Sequence, residues 1–233
     1  MSEEKNRIRE SLLDNLPQTG IAPEQRGKIA ELLRRNSEYR QARQIYCTPD
    51  IDLDQIRINT LLDGKELLMP APGLKQGFYR IKPFSVPFPE LYSAVNYKGV
   101  SKFGEIVQVA EFSKVAIDLV VCAALGIDPE GRRIGGGTGY FDLAMAILEQ
   151  LGGLRPDILV MALAGEKQLL SETLPEDPWD VAVDCVLTPQ GERCFTQKGR
   201  RMPGLFWDAL SEKSIRKNDL LWYLRKKTSR IEG

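Results

Sequence analysis

Hydrophobic positions recur along the chain at two spacings, and these predict helices that alternate with strands. Helical spacing predicts two leading helices, the first over residues 8–16, ending at Leu16, and the second over 23–33. Apolar runs at 44–47 and 66–69 predict strands, and the segment 53–62 between them predicts a helix. The N-terminal part of the chain therefore predicts two helices followed by a β-α-β unit.

The middle of the chain holds a long apolar run. Residues 116–124 are almost continuously hydrophobic, as expected for a central strand covered on both faces. A glycine-rich stretch at 131–142 follows, then a helical pattern over 143–151 and strand patterns at 158–163 and 181–187. This alternation predicts an α/β fold with three α/β/α layers and a largely parallel, Rossmann-like central sheet.

Residues 78–103 and the C-terminal tail differ in composition from the rest of the chain. Residues 78–103 are rich in aromatic residues, proline and glycine without a steady period, which predicts loops around short elements. The tail from Lys213 to Arg230 predicts a basic helix with Leu220, Leu221 and Leu224 on one side. We interpret it as a surface helix whose apolar side packs on the sheet, rather than as an RNA-binding arm.

Length and charge limit the possible partners. The 233 residues suffice for one substantial core, so we expect one domain over 1–233 with a basic helical segment from about 205. Lys+Arg and Asp+Glu both number 32, which argues against steering to nucleic acid or a membrane. No apolar run has membrane-spanning length, and no signal-peptide core follows the charged start. We expect a cytoplasmic monomer or homodimer that binds small molecules.

The absence of histidine excludes several kinds of catalytic site. Without it there is no Ser-His-Asp triad, no Cys-His dyad and no histidine-ligated zinc. The cysteines have no C-x-x-C spacing, which favours buried reduced thiols over a metal or redox site; they are Cys47, Cys122, Cys185 and Cys194. Any chemistry must therefore use carboxylates, Lys, Arg, Tyr, backbone dipoles or a bound cofactor.

The glycine-rich stretch 131–142, called the glycine loop below, carries the chemical signal. Its sequence, GRRIGGGTGYFD, lies between a predicted buried strand and a predicted helix. Glycine permits close backbone approach, so successive amides can point at phosphate oxygens beside the positive end of the helix dipole. Arg132 and Arg133 supply forked donors for the same anion. The loop therefore indicates a phosphate site, with a tight structural turn as the alternative.

Two common phosphate-binding motifs do not fit this loop. A Walker A site requires G-x-x-x-x-G-K-[ST], and although Gly126 and Gly131 have that spacing, two arginines follow them. A dinucleotide fingerprint requires G-x-G-x-x-G after the first strand. Here Gly135 and Gly137 are followed by Tyr140 at the third glycine position, and the loop comes late in the chain.

The pattern that fits is G-x-R-[LI]-G-x-G-x-G-Y-[YF]-D. It resembles the signature of the 5-formyltetrahydrofolate cyclo-ligase family (methenyltetrahydrofolate synthetases) and matches from Gly131 to Asp142. Upstream, Lys5-x-x-x-Arg9 is similar to the family's Lys/Arg pair, and this spacing places both cations on one helix face. Downstream, residues of the types that the family tends to have are Gln168, Pro175, Asp180, Asp184 and Thr188.

The resemblance implies an ATP-dependent reaction. In the family, ATP phosphorylates the formyl oxygen of 5-formyltetrahydrofolate, N10 attacks the activated carbon, and loss of phosphate gives 5,10-methenyltetrahydrofolate and ADP. Such a reaction needs positioning and charge neutralisation by Lys, Arg, amides and Mg²⁺, and no protein nucleophile. A chain without histidine is compatible with that mechanism.

The resemblance also implies roles for individual residues. Arg133 and Tyr140 would act at the reacting groups, and Asp50 and Tyr140 would contact the folate. Asp142 would hold Mg²⁺ directly or through water. The expected ATP-binding residues come from the first helix and the glycine loop, and they are Lys5, Arg9, Arg133, Gly135, Gly136, Gly137, Thr138, Gly139, Tyr140 and Asp142.

Each of these side chains also has a purely structural interpretation. Lys5 and Arg9 are compatible with a solvated helix face. Asp142 and Asp50 are each compatible with a cap of the helix that begins beside them. Tyr140 is compatible with ordinary core packing.

Other functions also stay open from the sequence. A family member that binds nucleotide or folate without turnover, with a regulatory or RNA-associated role, is the second hypothesis. Its motives are the basic tail and three departures: Asp50 stands where the family usually has Glu, residues 122–128 differ from the typical VPGLAFD, and Leu143 replaces the usual Arg. A different phosphotransfer or sugar-phosphate reaction on a similar scaffold is the third.

Overall fold

The computed structural model describes residues 3–15, 21–195 and 202–231. Its helices are α1 Glu3–Asn15, α2 Pro23–Arg35, α3 Ser37–Gln41, α4 Asp54–Leu62, α5 Leu91–Ala94, α6 Val100–Phe103, α7 Tyr140–Gln150, α8 Glu212–Arg216 and α9 Asp219–Ile231. Its strands are β1 Gln44–Cys47, β2 Glu66–Pro70, β3 Phe78–Ile81, β4 Glu105–Ile106, β5 Ile117–Ala123, β6 Gly126–Ile127, β7 Arg133–Ile134, β8 Leu154–Leu163, β9 Cys185–Thr188 and β10 Gly191–Cys194. Leu16 lies outside the described residues. None of the helices in these ranges is both long and apolar enough to cross a bilayer.

Eight strands form one mixed sheet in the order β10-β9-β8-β5-β1-β2-β3-β4. The strands from β9 to β2 in this order are mutually parallel, whereas β10, β3 and β4 pair antiparallel at the edges. From β1 the chain adds β2, β3 and β4 on one side, and then adds β5, β8 and β9 on the other. The boundary between β1 and β5 is therefore a topological switch point, where open α/β sheets commonly bind ligands.

Alternating side chains of the central strands enter two hydrophobic cores. On β1, Tyr46 lies in the core that α7 and α9 cover, whereas Ile45 and Cys47 lie in the core that α2 and α4 cover. The fully buried β5 residues Val120 and Val121 divide in the same way. Because both faces of the sheet carry helices, the predicted α/β/α layering and largely parallel sheet are confirmed. The division into one domain stays a prediction.

Two predicted elements, a strand and a helix, begin at different residues in the structure. The strand predicted at 181–187 begins only at Cys185, because the amides of Val181 and Val183 donate to the Asp142 carboxylate and the Gly131 carbonyl instead of to a neighbouring strand. The helix predicted from Leu143 begins earlier, at Tyr140. Residues 78–103 form short elements between loops, as predicted.

The C-terminal segment, residues 202–231, packs through its apolar side as predicted. Leu220, Leu221 and Leu224 are buried in the core that α7 also covers. The tail contains two helices rather than one, because the Asn218 side-chain oxygen accepts a hydrogen bond from the Leu221 amide and caps α9. Gly77 permits this packing, since a Cβ there would lie 2.5 Å from Leu220 Cδ1.

The prediction of four reduced cysteines is wrong for one pair. Cys185 and Cys194 lie opposite each other on the antiparallel strands β9 and β10 and form a disulfide. A hairpin brings the two residues together, and a search for C-x-x-C spacing could not reveal it. Cys47 and Cys122 are free, and burial raises the pKa of each thiol to about 12. These two thiols are therefore protonated and inert at neutral pH.

Candidate active site

The glycine loop lies at the switch point of the sheet. It comes after β5, with β6 and β7 forming a small antiparallel pair at its start. Residues 48–50 leave the carboxyl end of β1, which is the parallel neighbour of β5. The two connections therefore meet at one edge of the sheet.

A cavity at this edge collects the predicted site residues. Its volume is about 220 Å³, and its walls come from α1, the connection after β1, the glycine loop and the segment 177–180. The predicted residues that line it are Lys5, Arg9, Asp50, Arg133, Gly135, Gly136, Gly137, Thr138, Gly139, Tyr140 and Asp142. The structure thus brings them together, while their individual roles stay predictions.

The backbone of the glycine loop is free to bind an anion. Within the described parts of the chain, the amide groups of Gly136, Gly137 and Thr138 have no hydrogen-bond partner. Gly137 has φ +88°, and a Cβ there would lie 3.0 Å from the Arg9 guanidinium. The loop leads directly into α7, whose first turn presents the positive end of its dipole. Unpaired amides, a helix N-terminus and a cation therefore converge here.

The two arginines of the loop have different surroundings. Arg133 packs its guanidinium 4.1 Å from the centre of the Phe141 ring and bonds to Asp142 at 2.5 Å. Its Nε is buried and has no hydrogen-bond partner among the described residues. Such an unsatisfied buried donor at the cavity wall is suited to an anionic ligand.

Arg132 does not share this role, which corrects the expectation that both arginines serve one anion. Its guanidinium forms ion pairs with Glu130 at 2.8 Å and Glu176 at 3.0 Å and lies 3.5 Å from Asp128. Arg132 does not line the cavity. Arg132 immediately precedes β7 and Arg133 is its first residue, and of the two only Arg133 lines the cavity.

Asp142 supports the site through its first oxygen. Oδ1 accepts hydrogen bonds from Arg133 and from the Val181 amide at 3.0 Å. No side-chain cap is formed at the start of α7, so the capping interpretation of Asp142 is not observed. Because the bonds to Arg133 and Val181 both use Oδ1, Oδ2 is the oxygen that a cation would meet.

Lys5 is a buried site residue and not part of a solvated helix face. Its ammonium group pairs with Asp177 at 2.6 Å and also with Asp180, and only 8% of the side chain is exposed. Burial opposes the charge of the amine, but the hydrogen bonds to the two aspartates outweigh it and raise the pKa of Lys5. Lys5 therefore stays charged at physiological pH.

Arg9 lies one turn further along α1 and contacts the glycine loop. Its Nε donates to the Gly135 carbonyl at 2.8 Å, and Nη1 donates to the Asn6 side chain at 2.6 Å. The i, i+4 spacing predicted to align the two cations is observed, because both Lys5 and Arg9 face the cavity. The solvated-face interpretation therefore fails for this pair.

Tyr140 and Asp50 line the cavity from two different segments of the chain. Tyr140 is 46% exposed, so core packing does not account for it. Asp50 precedes a short 3-10 helix, Ile51–Leu53, and makes no side-chain cap there, which argues against its structural interpretation. Both side chains are open to a ligand.

A buried arginine that the sequence did not single out holds the Asp50 connection. Arg57 is fully buried and donates to the backbone carbonyls of Thr48, Asp50 at 2.9 Å and Val95 at 2.7 Å, and it also pairs with Asp54. These bonds fix the backbone on one wall of the cavity. The Thr48 hydroxyl on that wall is buried without a partner in the described residues.

Sequence reasoning also missed the acidic side of the cavity. Asp177, Trp179 and Asp180 line it, and the sequence marks Asp180 only as a family-like position. Lys5 and Asp177 lie 172 positions apart, so no local spacing predicts their contact. Tyr97 completes the wall, and its hydroxyl accepts a hydrogen bond from the Gly73 amide at 2.8 Å.

The charges of the cavity are compatible with a nucleotide that carries a divalent cation. Its cationic side chains are Lys5, Arg9 and Arg133, and its carboxylates are Asp50, Asp142, Asp177 and Asp180. Carboxylates thus outnumber cations by one, and a bare polyphosphate would meet repulsion from them. Mg²⁺ prefers one or two carboxylates together with phosphate oxygens, which the second oxygen of Asp142 could provide. The residues present therefore fit MgATP better than free ATP.

Fold and site together define an α/β protein with a glycine-rich loop, whose amides are unpaired among the described residues, at the switch point of its sheet. A family model places it further: the chain belongs to the 5-formyltetrahydrofolate cyclo-ligase family, whose model matches residues 1–189. The C-terminal segment lies beyond that match.

Known proteins of this kind resemble the chain to different extents. The bovine (Bos taurus) methenyltetrahydrofolate synthase domain-containing protein is 29% identical over 202 residues, covering 85% of this chain and 52% of that protein. The chain thus spans about half the length of this relative. Mouse (Mus musculus) 5-formyltetrahydrofolate cyclo-ligase is 37% identical over 71 residues, or 30% of this chain and 34% of that enzyme. The solved structure of Aquifex aeolicus 5,10-methenyltetrahydrofolate synthetase has the same fold, with TM-score 0.54, 21% identity and coverage of 85% and 95%.

Proposed function

We propose that the protein converts 5-formyltetrahydrofolate and ATP to 5,10-methenyltetrahydrofolate, ADP and phosphate. The observation that carries this proposal is the convergence of two α1 cations, the glycine loop and Asp50 on one cavity at the switch point. Family membership supports the same substrate class. The proposal covers this chain alone, since it spans about half of the relative that it resembles over most of its length.

The glycine loop would hold the phosphates of ATP. Amides of Gly136, Gly137 and Thr138 lie beside the N-terminus of α7 and can orient phosphate oxygens without reorganising. Arg133 would neutralise charge on the transferred phosphoryl group, since its buried Nε is available and its orientation is fixed by Phe141 and Asp142. Each such donor can contribute about 3 kcal/mol to the transition state.

The remaining residues would arrange the partners of the reaction. Asp142 would hold Mg²⁺, which would neutralise phosphate charge when bound. Asp50 and Tyr140 would hold the folate so that its formyl oxygen meets the γ-phosphoryl group in line. Cyclisation then needs only attack by N10 and loss of phosphate, so no histidine is required.

A direct assay tests the proposal. Purified protein with MgATP and 5-formyltetrahydrofolate should show rising near-ultraviolet absorbance from the methenyl product. Arg133→Ala should lower kcat by about a hundredfold or more, because it removes a donor that acts in the transition state. Arg132→Ala is the matched control, since its side chain lies outside the cavity, and it should keep near-native kcat. Absence of product with the native protein, or equal loss in both variants, would overturn the proposal.

A specific observation also supports the alternative of binding without turnover. Lys5 is paired with Asp177 and Asp180, so its ammonium group would have to exchange a carboxylate partner to bind a phosphate. On this alternative, calorimetry would detect binding of MgATP or reduced folate while the absorbance assay stays flat, and an RNA-associated role would require RNA binding in the same titration. Absence of binding to all three would reject it.

A further inference from the structure

A second cavity lies beside the first and is formed with the C-terminal segment. Its volume is about 500 Å³, which is within the range typical of small-molecule sites, roughly 300–1000 Å³. Six residues line both cavities, so the two are adjacent: Gly73, Thr138, Gly139, Tyr140, Asp142 and Trp179. Half-exposed Tyr140 therefore stands at their boundary.

The far wall of this cavity comes from residues 204–221, beyond the part of the chain that matches the family model. Several contacts fix this wall. The Asp219 amide donates to the Lys75 carbonyl at 3.0 Å, and Leu220 packs directly on Gly77. The Phe206 ring meets Trp179 edge-on with centroids 5.9 Å apart. The wall is thus built by specific packing.

The side chains of the cavity suit one kind of ligand. Trp179 and Phe206 offer aromatic surface, and leucines of α7 and the C-terminal segment add apolar area. Lys75 and Lys217 line the same cavity, are exposed, and have no carboxylate partner in the part of the chain that the structure describes. Aromatic surface next to unpaired ammonium groups fits a planar ring that carries carboxylates.

We propose that this cavity binds the aminobenzoyl-glutamate arm of the reduced folate, with Lys75 and Lys217 pairing with its carboxylates. The ring system that bears the formyl group would remain in the first cavity, on the other side of Tyr140. This inference rests on the proposed function, because it assigns the second part of the same substrate. The C-terminal segment then determines specificity for the arm and takes no part in the chemistry.

Equilibrium binding to the full chain without ATP tests the assignment. Tryptophan fluorescence would follow titration with 5-formyltetrahydrofolate. The double variant Lys75→Ala/Lys217→Ala should weaken binding about fivefold to tenfold, as expected for two exposed charge pairs. Phe206→Ala should weaken it by a similar factor, whereas MgATP affinity measured by calorimetry should not change in either variant.

Two controls separate this inference from the proposed function. Lys213→Ala removes an exposed lysine of α8 that does not line the cavity, and it should bind folate like the native protein. A 5-formyltetrahydropterin that lacks the arm should bind the native protein and the double variant equally. If native protein binds 5-formyltetrahydrofolate and all variants match it, or if the loss falls on MgATP, the cavity assignment is wrong while the proposed function stands. If native protein binds no reduced folate, both fail.

Discussion

The two terminal helices line the two adjacent cavities, α1 the first and α9 the second, but different kinds of contact hold them. In α1 the buried residue is Lys5, and Leu13 is 55% exposed, so the helix is attached by ion pairs and by Arg9 on the glycine loop. In α9, Leu220, Leu221 and Leu224 are buried in a hydrophobic core. We therefore expect α1 to contribute mainly to the candidate site and α9 mainly to stability.

Removing apolar contact from α9 should give the largest effect. Leu221 is fully buried, and Leu221→Ala should lower the free energy of unfolding by about 3 kcal/mol, measured by urea denaturation. Trp222→Ala is the neighbouring control; its side chain is 42% exposed, so the loss should stay within about 1 kcal/mol. Equal losses would mean that α9 is not held by its buried face.

Removing the charge of Lys5 in α1 should lower turnover strongly and lower stability less than the loss of Leu221 does. Lys5→Met should lower kcat/KM for ATP about a hundredfold, because a positioned cation is lost. The free energy of unfolding should fall by about 2 kcal/mol, less than for Leu221→Ala, because Asp177 and Asp180 lose their cation but no buried apolar side chain among residues 3–15 is removed. Arg7→Met, an exposed change on the same helix, should alter neither quantity. A loss of stability in Lys5→Met as large as that in Leu221→Ala would show that α1 is structural.

Amide hydrogen exchange compares the two helices in the native protein. A helix held by few polar contacts opens locally at low cost, so residues 3–15 should exchange about tenfold or more faster than residues 219–224. MgATP should slow exchange in α1 and leave α9 unchanged. Matched protection of both helices, or a nucleotide effect confined to α9, would contradict the comparison.

The ion pair of buried Asp52 with Arg26 should make the free energy of unfolding depend on pH. Its contribution should fall as pH rises, which is opposite to the behaviour of a carboxylate whose pKa is lowered in the folded state. Burial raises the pKa of Asp52 to about 6, although Arg26 lies 2.8 Å away and opposes the shift. The native state then holds more protons than the unfolded state, so the contribution of Asp52 to stability is present below its unfolded pKa and lost as pH rises through 6.

Comparison of unfolding free energies between pH 4.5 and 7 checks this small effect. Asp52→Asn should remove part of the pH dependence, whereas the exposed change Glu172→Gln should preserve it. If Asp52→Asn made stability fall more steeply with rising pH, the sign would be wrong. The change in unfolding free energy should be smaller than the change caused by Leu221→Ala.

The sequence predicts those parts of the site in which the residues concerned lie close together in the chain. Strand β5, the glycine loop and α7 follow one another, so period and glycine spacing suffice to place Arg133 and Asp142 together. The pairing of Lys5 and Arg9 on one helix face depends only on helical geometry. Local rules therefore predict the fold class and the core of the site.

The parts that the sequence does not predict depend on contacts between distant segments. Asp177 reaches Lys5 only because the segment after β8 returns over the switch point. Arg57 acts through its bonds to three backbone carbonyls, which no side-chain pattern encodes. The different directions of Arg132 and Arg133 and the Cys185–Cys194 disulfide likewise depend on strand pairing.

The contact between Gly77 and Leu220 can be checked for in homologous sequences. Its φ of +78° already favours glycine, and a Cβ would also overlap Leu220. A homologue with a larger side chain at this position could not retain the same docked tail. Joint presence of glycine here and an aliphatic residue at the position of Leu220 would therefore mark homologues whose C-terminal segment packs in the same way.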